Sequence, residues 1–204
     1  MNAFSQTWQA DVLTSPPMIA PARQFVYPMQ IAGEEDALAR GALNLMVRPA
    51  NGGNYLLACA LGYRDPALPT GVYACPNSDE MCAVAGGYAY LANTLQPERC
   101  VLLGMKPVVS IHALPASGLL IFAGFHNLLA WGMKGKEWET ARLSWEGLRV
   151  TGVVDGRLEG FGWDMRTDRE KVFSVDLATG AHTGGAFPSG TSAGASAGTA
   201  APAE

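Results

Sequence analysis

Short apolar runs of strand length, each followed by turn-forming residues, recur along this chain and constrain its fold more than any other feature. Two of them, 149–154 and 157–161, flank Asp155-Gly156. An Asp-Gly pair between two such runs is the strongest short-range signal for a β-hairpin. A third run, 172–177, alternates apolar and polar residues with the period of two that is typical of a half-buried strand. Further runs of this kind lie at 24–27, 43–47, 55–59, 101–103 and 108–111.

This pattern predicts a mainly β fold with few or no helices. Many short strands separated by Gly, Pro, Asn and Asp are typical of an antiparallel meander, a propeller-like array or a sandwich. Two segments leave room for other interpretations. Residues 34–40 are long enough for about two helical turns, whereas the apolar residues of 137–148 fit both a helical spacing and a strand alternation. We interpret 137–148 as a strand, because the segments on both sides of it are strands.

The two ends of the chain differ in composition from its middle. Residues 1–23 contain three prolines, and proline lacks an amide hydrogen and restricts the residue before it. Residues 186–204 are rich in Gly, Ala and Ser, so burial of side chains there does not offset the entropy lost on ordering. We therefore predict an extended N-terminal arm over 1–23, a single β-rich domain over 24–185 and a disordered tail over 186–204.

Charge and hydropathy patterning exclude several functional classes. The net charge is −4 and the fourteen Lys and Arg are scattered, whereas nucleic-acid binders concentrate positive charge on one face. No run approaches the roughly 18 apolar residues that span a bilayer, and the first basic residue, Arg23, comes too late for a secretion signal. We expect a soluble cytoplasmic protein that binds neither nucleic acid nor membrane.

Cysteine and histidine spacing predicts no metal site. Cys59, Cys75, Cys82 and Cys100 form no C-x2-C pair, and we favour reduced, buried thiols over a disulfide such as Cys75–Cys82 or a metal site. His112, His126 and His182 are too far apart in sequence for a ligand pair on one element. Phosphate-binding, dinucleotide-binding and nucleophile-elbow motifs are also absent from the sequence. We therefore predict no cofactor.

A glycine closely followed by an aromatic residue recurs with a regular period. Gly86-Gly87-Tyr88, Gly124-Phe125 and Gly162-Trp163 repeat at 38 residues from the first glycine of one to that of the next. A period near 40 is the length of a four-stranded propeller blade, and residues 70–180 resemble the blade repeats of β-propellers. Trp163-Asp164 is the one dipeptide that matches a WD repeat. The resemblance implies a platform that presents loops around a central channel, and it implies no reaction. An ordinary meander or sandwich with regular hairpins is the alternative.

Aromatic and charged residues between positions 126 and 170 are the best candidates for a functional site. Four of the five tryptophans lie between Trp131 and Trp163, and the most polar stretch of the predicted domain, 163–171, follows the last of them. Tryptophan is enriched in binding surfaces, although core packing is the more common use of such residues, and the charged stretch also fits an exposed hairpin loop. The candidate binding residues are Trp131, Trp145, Trp163, Asp164, Arg166, Asp168 and His126.

Two functional classes follow from these residues. We favour a binding or scaffolding module that presents its loops and tryptophans to a protein or a small polar ligand. The alternative is an enzyme, a hydrolase or lyase, that uses Asp164, Asp168 or His126. A histidine and two carboxylates together in a cleft would favour the enzyme, and no catalytic residue is assigned from the sequence.

Overall fold

The computed structural model describes residues 4–19, 21–28 and 38–187, and these residues form sixteen β-strands in four four-stranded sheets. Sheet 1 contains β1 (Gln9–Leu13), β2 (Gln24–Tyr27), β3 (Ala42–Arg48) and β4 (Tyr55–Ala60). Sheet 2 contains β5 (Gly71–Ala74), β6 (Glu80–Ala85), β7 (Tyr88–Asn93) and β8 (Cys100–Leu102). Sheet 3 contains β9 (Ser110–Leu114), β10 (Leu119–Ala123), β11 (Leu128–Gly132) and β12 (Gly135–Glu139). Sheet 4 contains β13 (Leu148–Val154), β14 (Arg157–Asp164), β15 (Arg169–Asp176) and β16 (His182–Gly184).

The prediction of a mainly β, largely antiparallel fold is confirmed. In sheets 2, 3 and 4 each strand pairs with the next strand along the chain. Sheet 1 has the order β1-β3-β4-β2, and β2 runs parallel to β4. The helical structure among the described residues is a single 3-10 turn, Pro115–Ser117.

The hairpin predicted at Asp155-Gly156 is also confirmed. β13 and β14 pair from Val154 and Arg157 outward. Asp155 has a φ of 48° and Gly156 a φ of 74°, and a two-residue type I′ turn requires positive φ at both of these positions.

The four sheets stack in chain order, with an apolar layer between each neighbouring pair. Strand β6 shows how this works, since successive side chains on a strand point to opposite faces. Met81 and Ala83 pack with sheet 1, whereas Cys82 and Val84 pack with sheet 3. Both faces of β6 are therefore buried, which explains why its sequence is continuously apolar rather than alternating.

Each 38-residue repeat of the sequence corresponds to one sheet. Gly86 and Gly124 directly follow the second strands of sheets 2 and 3, and Gly162 lies near the end of the second strand of sheet 4. The three glycines therefore lie near the same end of neighbouring sheets, although Gly162 is inside its strand and the other two glycines follow theirs.

One edge of the stack carries all the connections between successive sheets, together with the turns between the second and third strands of sheets 2, 3 and 4. Backbone hydrogen bonds join these segments to one another. The Tyr63 N–H donates to Gly86 O at 2.9 Å, and the Val108 N–H donates to Gly87 O at 2.7 Å. The Trp145 N–H donates to Trp163 O at 2.9 Å. We call this surface the loop edge; it comprises residues 61–70, 86–87, 103–109, 124–127, 140–147 and 165–168.

The structure differs from the sequence predictions at two places and leaves two others untested. Residues 9–13, within the predicted arm, form β1 and pair with β3. The strand predicted over 137–148 ends at Glu139, and 140–147 is a connection instead. Most of the two-turn helix considered at 34–40, and the predicted tail beyond Phe187, lie outside the described residues.

Candidate functional site

Six of the seven candidate residues lie at or beside the loop edge, where sheets 3 and 4 meet. His126 belongs to the turn between β10 and β11, and Trp145 to the connection between sheets 3 and 4. Trp163 and Asp164 end β14, and Arg166 and Asp168 belong to the turn that follows. Residues that are far apart in sequence are thus brought together by the stacking of two sheets.

Trp145 is the centre of this group, which we call the Trp145 cluster: His126, Arg142, Trp145, Arg166 and Phe187. The indole ring lies 4.9 Å from the ring of Phe187 between centroids. Two guanidinium groups face it, that of Arg142 at 5.1 Å and that of Arg166 at 5.8 Å from the ring centroid. Cations over an indole face are attracted by its quadrupole, so the cluster gathers two positive charges around one aromatic ring.

Arg142 holds the cluster together and was not anticipated from the sequence. Its Nε donates to Ser144 O at 2.9 Å, and its Nη2 donates to Trp145 O at 2.7 Å. Nη2 also lies 3.3 Å from Nδ1 of His126. Since a guanidinium only donates, Nδ1 acts there as the acceptor. His126 is therefore paired with a cation, not with a carboxylate.

Ser144 fixes the same connection from inside. Its fully buried side chain accepts the Trp163 N–H at 2.9 Å and donates to Gly147 O at 2.6 Å. A buried hydroxyl that satisfies backbone groups from two segments holds both in one geometry. Ser144 thereby positions Trp145 and Trp163 relative to each other.

The two carboxylates of the 164–168 turn have structural partners. Asp164 accepts the Arg166 N–H at 3.1 Å and the Thr167 hydroxyl at 2.9 Å, and these hydrogen bonds and the nearby cations lower the pKa of Asp164. Asp168, at a φ of 50°, accepts the indole N–H of Trp163 at 3.2 Å. Both side chains thus stabilise the turn that carries Arg166.

The indole N–H of Trp145 has no hydrogen-bond partner, although it is buried. It is the one buried side-chain nitrogen or oxygen in this state among the residues that the structure describes. An unsatisfied buried donor costs about 1–3 kcal/mol. The Trp145 cluster thus contains a donor without an acceptor as well as two cations.

A second group of the same construction lies further along the loop edge, at sheet 2. We call it the Tyr88 cluster: Arg40, Tyr63, Tyr88 and Lys106. The Lys106 ammonium lies 4.9 Å and the Arg40 guanidinium 6.0 Å from the centroid of the Tyr88 ring. Tyr63, 45% exposed, meets Tyr88 edge-on at 5.8 Å. As in the Trp145 cluster, two cationic side chains lie close to one aromatic ring.

The sequence contained a signal for this second cluster. Tyr88, His126 and Asp164 are separated by 38 residues each, so the repeat places each of them in or directly beside the turn between the second and third strands of its sheet. The signal for Lys106 and Arg142 was weaker, because each lies in a connection between sheets, where no pattern of apolar residues predicts the path of the chain.

Trp131, the seventh candidate, lies away from both clusters. It is 5% exposed, and its indole N–H donates to the Glu80 carboxylate at 2.7 Å, joining sheet 3 to sheet 2. Burial raises the pKa of Glu80. Trp131 also lines a cleft of about 440 Å³ between these sheets, beside Lys134 and Glu139. Its contacts are those of a core residue that links two sheets.

His112 and the four cysteines lie outside the clusters and are buried or half-buried. His112 Nε2 lies 2.9 Å from the Ser110 hydroxyl, and burial lowers the pKa of the histidine. Cys59, Cys75 and Cys82 are buried, Cys100 is half-buried, and none is in a disulfide. Over the described parts of the chain, no three His, Cys, Asp or Glu side chains come together as metal ligands would.

Comparison with known proteins assigns no family. Neither a protein-family model nor a curated protein matches the chain. No helix in the described ranges is long and apolar enough to cross a membrane. The function therefore has to be inferred from the loop edge itself.

Proposed function

We propose that this protein is a binding module that recognises a polypeptide partner through the loop edge. The observation that carries the proposal is the convergence on one edge of two aromatic–cation clusters, one of which contains or adjoins six of the seven candidate residues. Loops held on a rigid sheet scaffold are common sites of binding. Tryptophan, tyrosine and arginine are also the residues most enriched in binding hot spots.

The four stacked sheets support a propeller-like interpretation of the scaffold. Sheets 2, 3 and 4 are four-stranded meanders that repeat with the period of a blade, and their loops gather at one edge. We propose that this edge corresponds to the loop face with which propellers bind their partners. Sheet 1, with its parallel strand β2, departs from the meander of the other three sheets.

The contacts of the candidate residues favour binding over hydrolysis. The hydrolase alternative needs a histidine and carboxylates that act together. Asp164 accepts hydrogen bonds from Thr167 and the Arg166 backbone, and Asp168 accepts one from Trp163. Nδ1 of His126 faces the Arg142 guanidinium, so no hydrogen bond among the described residues joins the histidine to either carboxylate. Arg166 and Lys106, in contrast, are exposed and make contacts that leave their charged ends accessible.

A selection from a displayed library of random peptides tests this function. The immobilised protein is used as bait, and enriched peptides are then measured against Lys106→Ala and Arg166→Ala at the loop edge. Lys134→Ala and Arg99→Ala are matched controls, because both side chains are exposed and lie in turns at the opposite edge of the sheets. We expect affinity to fall in the first pair and to persist in the second. Enriched peptides that bind all four variants equally well would refute the loop edge as the binding surface.

A further inference from the structure

We infer that the segment bound at the loop edge is acidic, with carboxylates seated against the Tyr88 cluster and the Trp145 cluster. This inference rests on the proposed binding function and names the chemistry of its partner. It is carried by the charges of the two clusters, by the donors they leave unused and by their separation.

The cations of the two clusters differ from other cations of the chain in that they form no ion pairs with described residues. Within the described ranges there are four ion pairs, and none of them involves a cation of either cluster. The paired residues are Asp11–Arg48, Lys136–Glu139, Arg149–Glu170 and Arg157–Asp176. The edge also contains carboxylates, those of Asp65, Glu146, Asp164 and Asp168. None of them forms an ion pair with a cluster cation among the described residues, so the positive charge of this edge is concentrated at the two aromatic rings.

Like charges around one ring repel each other, and a bound anion relieves that repulsion. Lys106 and Arg40 both approach Tyr88, and Arg142 and Arg166 both approach Trp145. A carboxylate placed between two cations interacts favourably with both. Asp164 compensates Arg166 only in part, since it lies beyond ion-pair distance and accepts hydrogen bonds from the Arg166 backbone and Thr167.

Unused donors point to an acceptor-rich ligand. The Lys106 ammonium lies 4.9 Å from the Tyr88 ring centroid and the Arg166 guanidinium 5.8 Å from the Trp145 ring centroid, and neither charged group donates a hydrogen bond to another described residue. A carboxylate has two oxygens that accept hydrogen bonds and no donor, so it matches these groups better than an amide or a hydroxyl does.

The separation of the clusters defines the length of the ligand. Tyr88 begins the third strand of sheet 2, and Trp145 is hydrogen-bonded to sheet 4. Stacked sheets lie about 10 Å apart, so the clusters are separated by roughly 20 Å. An extended peptide covers about 3.3 Å per residue, and six residues therefore connect the two positions. The ligand needs acidic residues at both ends of such a segment.

A polypeptide fits this edge better than a nucleic acid does. Single-stranded nucleic acid is bound by stacking bases on open aromatic faces above a basic groove. Here the faces of Tyr88 and Trp145 are approached by cations of the chain itself. A nucleic acid also carries one phosphate per nucleotide along its whole length, whereas a peptide can place carboxylates at the two clusters alone.

The inference is tested with three fluorescein-labelled dodecapeptides of defined sequence. The first carries Glu-Asp-Glu at both ends with six Gly and Ser residues between them, the second carries the acidic triplet at one end, and the third replaces all acids by Gln and Asn. Fluorescence anisotropy is measured at 50 mM and 200 mM salt. A twelve-nucleotide oligothymidylate is included as the alternative polyanion.

We expect the doubly acidic peptide to bind about tenfold more tightly than the singly acidic one, which is about 1.4 kcal/mol, and the neutral peptide not to bind. Lys106→Glu and Arg166→Glu should each weaken binding of the doubly acidic peptide by about tenfold or more, since a charge reversal replaces attraction by repulsion. Lys134→Glu and Arg99→Glu change the net charge by the same amount at the opposite edge and should alter binding less than threefold. Lys106→Gln and Arg166→Gln give an intermediate loss and guard against a folding defect in the reversed variants.

Three results would overturn the inference: equal weakening by the control variants, tighter binding of the oligonucleotide than of the doubly acidic peptide, or no binding of that peptide by the parent protein. The selection from the peptide library tests the binding function separately. If the enriched peptides are not acidic but still depend on Lys106 and Arg166, the acidic ligand is wrong and the binding edge is retained.

Discussion

Gly156→Val isolates the free-energy cost of the β13–β14 turn, because the substitution adds strain without adding contacts. Gly156 has a φ of 74°, a region that β-branched residues strongly disfavour. A Cβ at this position would meet no atom within 4 Å. The whole effect of the valine therefore comes from its backbone conformation and not from a steric clash with the rest of the protein.

The expected loss of unfolding free energy is about 1–3 kcal/mol, the cost of a residue held in a sparsely populated backbone region. Relaxation of the turn is limited, because β14 also pairs along its length with β15. Asp155→Asn should be nearly neutral, since Asn tolerates the left-handed conformation at least as well as Asp.

Urea unfolding followed by tryptophan fluorescence measures this loss. With a slope of about 2 kcal/mol per molar urea, the midpoint should fall by roughly 0.5–1.5 M while the slope stays unchanged. Gly152→Val is the matched control, because Gly152 lies in the same hairpin, has open space around its Cβ position and has no left-handed φ. We expect that variant to lie within about 0.5 kcal/mol of the parent.

Two outcomes would refute this reasoning. A Gly156→Val variant as stable as the parent would mean that the turn does not require positive φ. An equal loss in Gly152→Val would show that a branched side chain in this hairpin is harmful wherever it lies, so that the cost could not be assigned to the turn conformation.

The remaining predictions concern three polar side chains, those of Glu80, Ser144 and Thr167. Glu80→Gln should be nearly neutral and Glu80→Ala should cost about 1–3 kcal/mol in urea unfolding, because the alanine leaves the indole N–H of Trp131 without an acceptor. Burial raises the pKa of Glu80, so in the pH range above the usual glutamate pKa the folded protein retains a proton that the unfolded chain releases. The free energy of unfolding should therefore fall as the pH rises through this range. Glu80→Gln has no titrating carboxyl and should lack that fall. Ser144→Ala should cost about 1–3 kcal/mol in the same assay, since the Trp163 N–H loses its acceptor, and a change below 0.5 kcal/mol would contradict that role. Thr167→Val should raise the pKa of Asp164 towards its ordinary value in an NMR titration, because the hydroxyl stabilises the carboxylate; an unchanged pKa would contradict this cause.

The local sequence pattern was sufficient to predict those structural features that depend only on residues close together in the chain. The Asp155-Gly156 turn follows from the backbone preference of two residues, and the strand 169–176 from an alternation that any half-buried strand must show. The 38-residue period likewise reports one sheet per repeat. That period places Tyr88, His126 and Asp164 in or directly beside corresponding turns of sheets 2, 3 and 4, so these residues lie at one edge although they are far apart in sequence.

Only the tertiary structure decided which residues face each other across the sheets. Trp131 and Trp145 look alike in sequence, yet Trp131 packs between sheets and donates to Glu80, whereas Trp145 lies at the loop edge beneath two guanidinium groups. The pairing of β1 with β3 and of β2 with β4 likewise joins segments separated by a long stretch of chain. Side-chain alternation is a local property that a sequence displays directly, but sheet order and the contacts of Arg142 and Lys106 depend on non-local packing, which no short window of sequence encodes.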